Sequence, residues 1–239
     1  MAQYIYGKNT IMSRIAKEAD IEEIYLVKGF KDKHILDNLS NYKVSFVSMD
    51  KINRLAKGNH QGIVAKIHTY EYTPLDKLKS KIKNKDDALI LVLDGIEDPH
   101  NLGAIIRSCD AIGVDGVIVK KHGACPLTST VAKVSTGALE FVDVCEVTNL
   151  TTFINDMKKE GFWAFGAEAT NSVDYRSLDY RGKTILVVGS EGKGISRLVL
   201  EQCDYKIALP MVGHVNSLNV SVATAILLYE IYSNRHPLK

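Results

Sequence analysis

Residues 88–101 read Ala88-Leu89-Ile90-Leu91-Val92-Leu93-Asp94-Gly95-Ile96-Glu97-Asp98-Pro99-His100-Asn101. The first six form an unbroken apolar run between a charged stretch and a turn, as expected of a strand buried on both faces. A helical pattern follows, Leu102-Gly103-Ala104-Ile105-Ile106-Arg107-Ser108-Cys109-Asp110-Ala111-Ile112. At about 3.6 residues per turn, Leu102, Ile105, Ile106 and Cys109 share one face and Arg107 falls away from it. Asn101 is expected at the N-cap, where its side chain can accept a backbone N–H. Most helical arginines are simply solvated. Here Ala104, Ser108 and Ala111 make a second face of small residues, which suggests another backbone approaching closely and leaves Arg107 facing a crevice or a partner subunit.

Outward from this stretch the pattern repeats. Strands are expected over 116–119, 162–166, 184–188 and 206–209, with helices over 128–137, 150–159, 195–202 and 218–233. Strands interleaved with helices predict an α/β domain built on a mostly parallel sheet, with chemistry at the strand C-terminal ends. Before it, helices over 10–18, 31–39 and 51–57 alternate with strands over 23–27, 43–47 and 63–68 in a smaller α/β unit. Between the two, Pro74, five lysines from Lys77 to Lys85 and Asp86-Asp87 predict a solvated linker containing one exposed helical turn or two. The expected domains are therefore 1–70, a linker over 71–87, and 88–239.

The chain has 239 residues, 46% hydrophobic, with a net charge of +2, enough for a sizeable core and neutral on the question of polyanionic partners. The distribution says more: residues 1–70 carry 11 Lys or Arg against 7 Asp or Glu, whereas 88–239 carry 14 against 17. A basic front end on an acidic body suits a first domain that touches phosphates. Cys109, Cys125, Cys145 and Cys203 form no C-x-x-C pair and the histidines no ligand spacing, so no metal is expected. Nothing reads as a signal peptide or membrane span, and the expectation is a cytoplasmic protein with reduced thiols.

Two further loops follow predicted strands. Gly189-Ser190-Glu191-Gly192-Lys193-Gly194 is too acidic and wrongly spaced for a phosphate cradle or a dinucleotide fingerprint, which disfavours a nicotinamide-dependent oxidoreductase. Its glycines permit a tight turn and close approach of a ligand to the backbone. Leu209-Pro210-Met211-Val212-Gly213-His214-Val215-Asn216-Ser217 leads into Leu218-Asn219-Val220-Ser221. Ser217 can cap the last helix, while Asn219 and Ser221 are costly in its first turn unless each has a partner. Three polar loops after three strands predict one shared site.

Together, Asp-x-x-x-Asp-Pro-His-Asn-x-Gly-x-x-x-Arg at 94–107, Gly-Ser-Glu-Gly-x-Gly at 189–194 and Leu-Pro-Met-x-Gly-x-Val-x-Ser-Leu-Asn-Val-Ser at 209–221 resemble the three signature motifs of the SpoU class of RNA 2′-O-ribose methyltransferases. The N-terminal unit, with Tyr6-Gly7-Lys8-Asn9 and His60-Gln61-Gly62-Ile63, resembles the ribosomal-protein-like RNA-binding domain of the branch that methylates guanosine in 23S ribosomal RNA. The resemblance implies S-adenosylmethionine as donor, a C-terminal trefoil knot, a structured RNA partner (ribosomal before transfer RNA) and a homodimer whose sites are completed across the interface. It implies functional roles for Asn101, Arg107, Glu191, Ser217 and Asn219, and cofactor contacts at Gly189, Leu209 and Leu218. The alternatives are a transfer-RNA methyltransferase of the same family or a noncatalytic RNA-binding member.

Overall fold

The computed structural model describes residues 3–215 and 217–237. Two compact units make up the chain, one of Met1–Glu71 and Pro126–Phe141, the other of Tyr72–Cys125 and Val142–Lys239.

The first unit opens with β1 (Gln3–Tyr6), α1 (Lys8–Ala16), β2 (Glu23–Val27), α2 (Lys33–Asp37), β3 (Val44–Val47), α3 (Met49–Leu55) and β4 (Ile63–Ile67). Its sheet runs β1-β4-β2-β3, with β4 antiparallel to β1 and β2, and β3 parallel to β2. Sequence reading missed β1, whose four residues carry too little pattern of their own and are held as an edge strand by pairing with β4. Ile5, Ile11, Ile24, Leu26 and Ile63 are fully buried, each worth about 1.5–3 kcal/mol of apolar transfer.

The chain then enters the second unit through α4 (Leu75–Ile82), β5 (Ala88–Asp94), α5 (Pro99–Ile112) and β6 (Gly116–Lys120). The stretch read as a linker is therefore structured. Leu78 and Ile82, one turn apart on α4, are buried in the core under the sheet, and this apolar anchor was masked in sequence by the lysines around it.

Next comes α6 (Ser129–Val134), with a 3-10 turn at Ala138–Glu140, both belonging to the first unit. There Arg14 Nη1 meets both oxygens of Glu140 at 3.2 Å, Arg14 Nε donates to the Asp20 carbonyl at 2.8 Å, and the Tyr70 hydroxyl donates to Glu140 Oε1 at 2.7 Å. The Arg14 guanidinium also lies over the Tyr70 ring, 5.2 Å from its centroid.

The remainder is β7 (Val144–Val147), α7 (Leu150–Lys159), β8 (Trp163–Ala167), β9 (Val173–Asp174), β10 (Lys183–Gly189), α8 (Arg197–Leu200), β11 (Tyr205–Ala208) and α9 (Val220–Arg235). The sheet order is β7-β6-β5-β10-β8-β11-β9 and every pairing is parallel. From β5 the chain steps outward to β6 and β7, then returns on the other side to β8, and β10 inserts between β5 and β8. That reversal of direction opens a crevice at the strand C-terminal ends. Because β10 pairs in register with β5, Gly189 lies opposite Asp94, so the first two polar loops leave the sheet side by side. One layer against the sheet comprises α4, α7 and α8; α9 packs against β10 and α5.

Candidate active site

The first anchor of the site is Asp94, the last residue of β5. Its carboxylate is 4% exposed and accepts Lys120 Nζ at 2.9 Å and the Ser196 backbone N–H at 2.8 Å. Burial pushes this carboxyl up, but the Ser196 and Lys120 hydrogen bonds outweigh it and hold Asp94 below its ordinary value. In this way the far end of the loop after β10 is tied to the end of β5.

Within that loop the backbone folds onto itself: Gly194 N–H donates to the Ser190 carbonyl at 2.9 Å, and the two residues form an antiparallel bridge. A Cβ on Gly189 would lie 2.0 Å from the Gly194 carbonyl carbon and 2.2 Å from the Ile195 nitrogen, so only glycine fits.

The turn presents Glu191. Its Oε1 accepts Asn219 Nδ2 at 2.5 Å, the Val220 N–H at 3.1 Å and Asn101 Nδ2 at 3.5 Å, while Asn219 Nδ2 also donates to Asn101 Oδ1 at 2.9 Å. A carboxylate at the N-terminus of α9 is favoured by the exposed N–H groups there. Asn219 Oδ1 accepts from Ser221 N–H and Oγ and from Val222 N–H, which supplies the partners that Asn219 and Ser221 lacked in sequence. Asn101, Glu191 and Asn219, one from each motif, thus meet in one hydrogen-bonded cluster.

Two capping expectations are corrected. Asp98, rather than Asn101, caps α5, accepting the His100 N–H at 2.9 Å, because Pro99 is already suited to the first helical position. Asn219, rather than Ser217, caps α9, which starts at Val220.

Arg107 is not part of the cluster. It lies six residues beyond Asn101 on α5, about 9 Å along the axis. It is exposed and, among the described residues, its side chain has no hydrogen bond or ion pair. Glu191 holds Asn219 and the start of α9.

Two cavities flank the 189–194 turn. One, of 340 Å³, is acidic, with Asp94, Glu97, Asp98 and Asn101 facing Ser190 and Glu191. The other, of 320 Å³, has small and apolar walls from Ala167, Val188, Gly192, Leu218 and Val220, with polar groups from Glu168, Ser217 and Thr224. Leu218 and Ser217 line this second cavity, and Gly189 lies between its lining residues Val188 and Ser190. Leu209, half-buried just past β11, is not among the described lining residues. Sequence reading singled out neither Glu168 nor Thr224. The loop after β8 obeys the same strand-end rule as the others but carries no glycine or motif to mark it, and Thr224 reads as an ordinary residue of an apolar helix.

Among the described residues no helix is long and apolar enough to cross a membrane, and no group of three or more His, Cys, Asp or Glu is placed to hold a metal.

Comparison with known proteins adds a second line of argument. Residues 88–229 match the model of the SpoU rRNA methylase family, and residues 4–73 match that for RNA 2′-O ribose methyltransferase substrate binding. A Staphylococcus aureus protein named as a candidate TrmH family tRNA/rRNA methyltransferase is 46% identical over 238 residues, covering 97% of this chain and 96% of its own length. Among solved structures, the SpoU methyltransferase AviRb from Streptomyces viridochromogenes, in complex with AdoMet, is similar in fold with a TM-score of 0.82 at 23% identity, covering 97% of this chain and 89% of that one. The TrmH/SpoU tRNA modifying enzyme of A. aeolicus is 33% identical with a TM-score of 0.59, over 68% of this chain and 82% of that one.

Proposed function

The chain belongs to the SpoU rRNA methylase family, and from that premise we propose that this RNA methyltransferase transfers a methyl group from S-adenosylmethionine to a ribose 2′-hydroxyl, of a guanosine in 23S ribosomal RNA. The observation that carries the reading is the cluster of Asn101, Glu191 and Asn219, in which one residue from each of three loops closes a single site at the strand ends. The ribosomal target is supported by the family description, and the ribose 2′-hydroxyl by the substrate-binding match over residues 4–73.

The residues present fit the donor. The 320 Å³ cavity offers apolar walls for an adenine, a hydroxyl at Ser217, and a carboxylate at Glu168 of the sign that favours a sulfonium. Gly189 lets the turn close tightly beside it, and Leu209 and Leu218 complete the proposed contacts. When bound, S-adenosylmethionine supplies an electrophilic methyl group.

The chain's own part is positioning and charge. A ribose hydroxyl is a poor acid, so its oxygen needs stabilisation as its proton passes to solvent water and the oxygen takes the methyl from the sulfonium, which leaves as a neutral thioether. A guanidinium is always protonated and cannot serve as a simple base. Arg107 instead binds an RNA phosphate and stabilises the developing oxyanion. Asn101 orients the ribose, Glu191 fixes Asn219 and the first turn of α9, and Ser217 and Asn219 place the substrate and the cofactor loop.

Arg107 lies away from its own cluster, which is consistent with a site completed by a second subunit. On α9, Val222, Ile226, Tyr229 and Tyr232 form an exposed apolar stripe along a helix that also buries Leu227, Leu228 and Ile231. A helix apolar on both faces needs a cover on both, and a second copy of the chain supplies it in a homodimer. The same reading includes the C-terminal knot, a ribosomal-protein-like first unit and a cytoplasmic location.

The test is calorimetric binding of S-adenosylmethionine followed by mapping of 2′-O-methyl sites in total RNA from a deletion strain. One lost ribose methylation in 23S ribosomal RNA is expected; a loss in transfer RNA would move the substrate, and a chain that binds no donor would end the proposal. Arg107→Ala is expected to keep donor binding and lose about 10²-fold or more in single-turnover transfer.

A further inference from the structure

The lysine run between the two sheets has no task in methyl transfer, yet it forms one wall of a hollow at the opposite end of the methylase sheet. Three loops that precede β5, β8 and β10 enclose 490 Å³ there. Lys83, Lys85, Arg181 and Lys183 line it against two carboxylates, Asp86 and Glu160. Lys85 is committed to Asp115 at 2.5 Å and Arg181 to Asp179. Lys183 Nζ donates only to the carbonyls of Lys83 and Glu160, at 3.3 and 3.4 Å. Among the described residues neither Lys83 nor Lys183 is within ion-pair distance of a carboxylate, although Asp86 and Glu160 line the same hollow. Gly161 and Gly182, both at positive φ, have no atom within 4 Å of where a Cβ would stand, which leaves the backbone floor open.

At the rim stands Trp163, 53% exposed. Its ring is backed by Tyr205 at 6.0 Å between centroids, and Tyr205 stacks on Phe165 at 5.3 Å. A half-exposed indole beside ammonium groups that are outside any ion pair is a combination that single-stranded nucleic acid engages: a base on the ring, phosphates on the cations. A protein partner would call for an apolar surround, and here the surround is charged.

Resting on the methyltransferase reading, we infer that this hollow binds a single-stranded RNA segment flanking the methylated ribose, with one base on Trp163 and its two flanking phosphates on Lys83 and Lys183. The seven residues of β5 separate the hollow from the candidate active site by about 20 Å, so the target nucleotide and the anchored one are distinct.

Trp163 is the chain's single tryptophan, so its fluorescence reports on this hollow alone. Octariboadenylate titrated into the full chain is expected to quench it saturably, with log K falling against log salt at a slope near about −1.4 for two phosphate contacts. Lys83→Ala keeps the fluorophore and is expected to flatten that slope by about 0.7. Trp163→Ala, followed by filter binding, is expected to weaken octamer binding about tenfold. An unquenched indole, or a quench indifferent to salt and to Lys83→Ala, overturns the inference. Calorimetry with S-adenosylmethionine on the same samples keeps the two readings apart. A chain that binds the donor but is not quenched loses only the hollow. A chain that is quenched without binding the donor keeps the hollow and loses the methyltransferase reading.

Discussion

Two carboxylates in the site, Glu191 and Asp94, are each answered by short-range partners. Glu191 accepts hydrogen bonds from both motif asparagines and from the Val220 amide. Asp94 does the same deeper in the crevice, and its titration gives a testable consequence. Its folded value is depressed below the ordinary aspartate value of about 3.9. The unfolded chain therefore takes up the proton first as the pH falls. The stability Asp94 contributes is fully present above that ordinary value and is lost as the pH drops through the lowered folded value. Asp94→Asn is expected to lower stability by about 1–3 kcal/mol at neutral pH. In urea titrations the gap from the unaltered chain should close below about pH 4; a gap that stays constant into acid would mean the carboxylate charge is not what holds the Ser196 loop. Asn101, Glu191 and Asn219 were legible in the sequence as polar residues in loops after three strands, Asn219 alone of them in a costly position, and the structure gives each a partner. The caps were misread because they depend on where the backbone turns: Pro99 starts α5 three positions earlier than the apolar pattern does.

At the level of elements, the parallel sheet was legible because its strands are continuous apolar runs, and β5 is buried at every position. Short edge strands such as β1 and β9 were not, since their pairing comes from neighbours and not from their own four or two residues. The turn after β10 shows how much one element can depend on an atom that is missing. The Gly189→Ala Cβ would overlap the Gly194–Ile195 backbone, with no flexible side chain able to give way. The turn must then open, at a cost of at least about 1–3 kcal/mol, and Glu191 must leave the start of α9. Thermal denaturation together with donor calorimetry is the check: lowered melting and lost donor binding are expected, and a variant that melts and binds normally would show that the turn is not rigid.

Across the whole molecule, the feature least visible in sequence is the return of Pro126–Phe141 to the first unit. Local periodicity identifies a helix there but cannot say which core it joins. The interaction that secures it is long-range, between Arg14 and Glu140, whose side chains are 9% and 5% exposed. Burial, followed by the Glu140 charge, pushes the Tyr70 hydroxyl far above its ordinary value, so it stays a donor throughout the accessible pH range. Glu140→Ala leaves Arg14 buried and unpaired and is expected to destabilise the first unit by about 3–5 kcal/mol. Hydrogen exchange at β1 and β4 amides measures it, and unchanged protection there would refute the assignment. This discontinuity also reaches back to biosynthesis. When residue 71 clears the ribosome the first unit still lacks its last helix, and Glu140 arrives only as the 69th residue after it, with β5 and β6 made in between. Nascent chains fold domain by domain where the domains are contiguous; here the two units are obliged to mature together, and a gene segment ending at residue 71 would carry an unfinished module into any fusion.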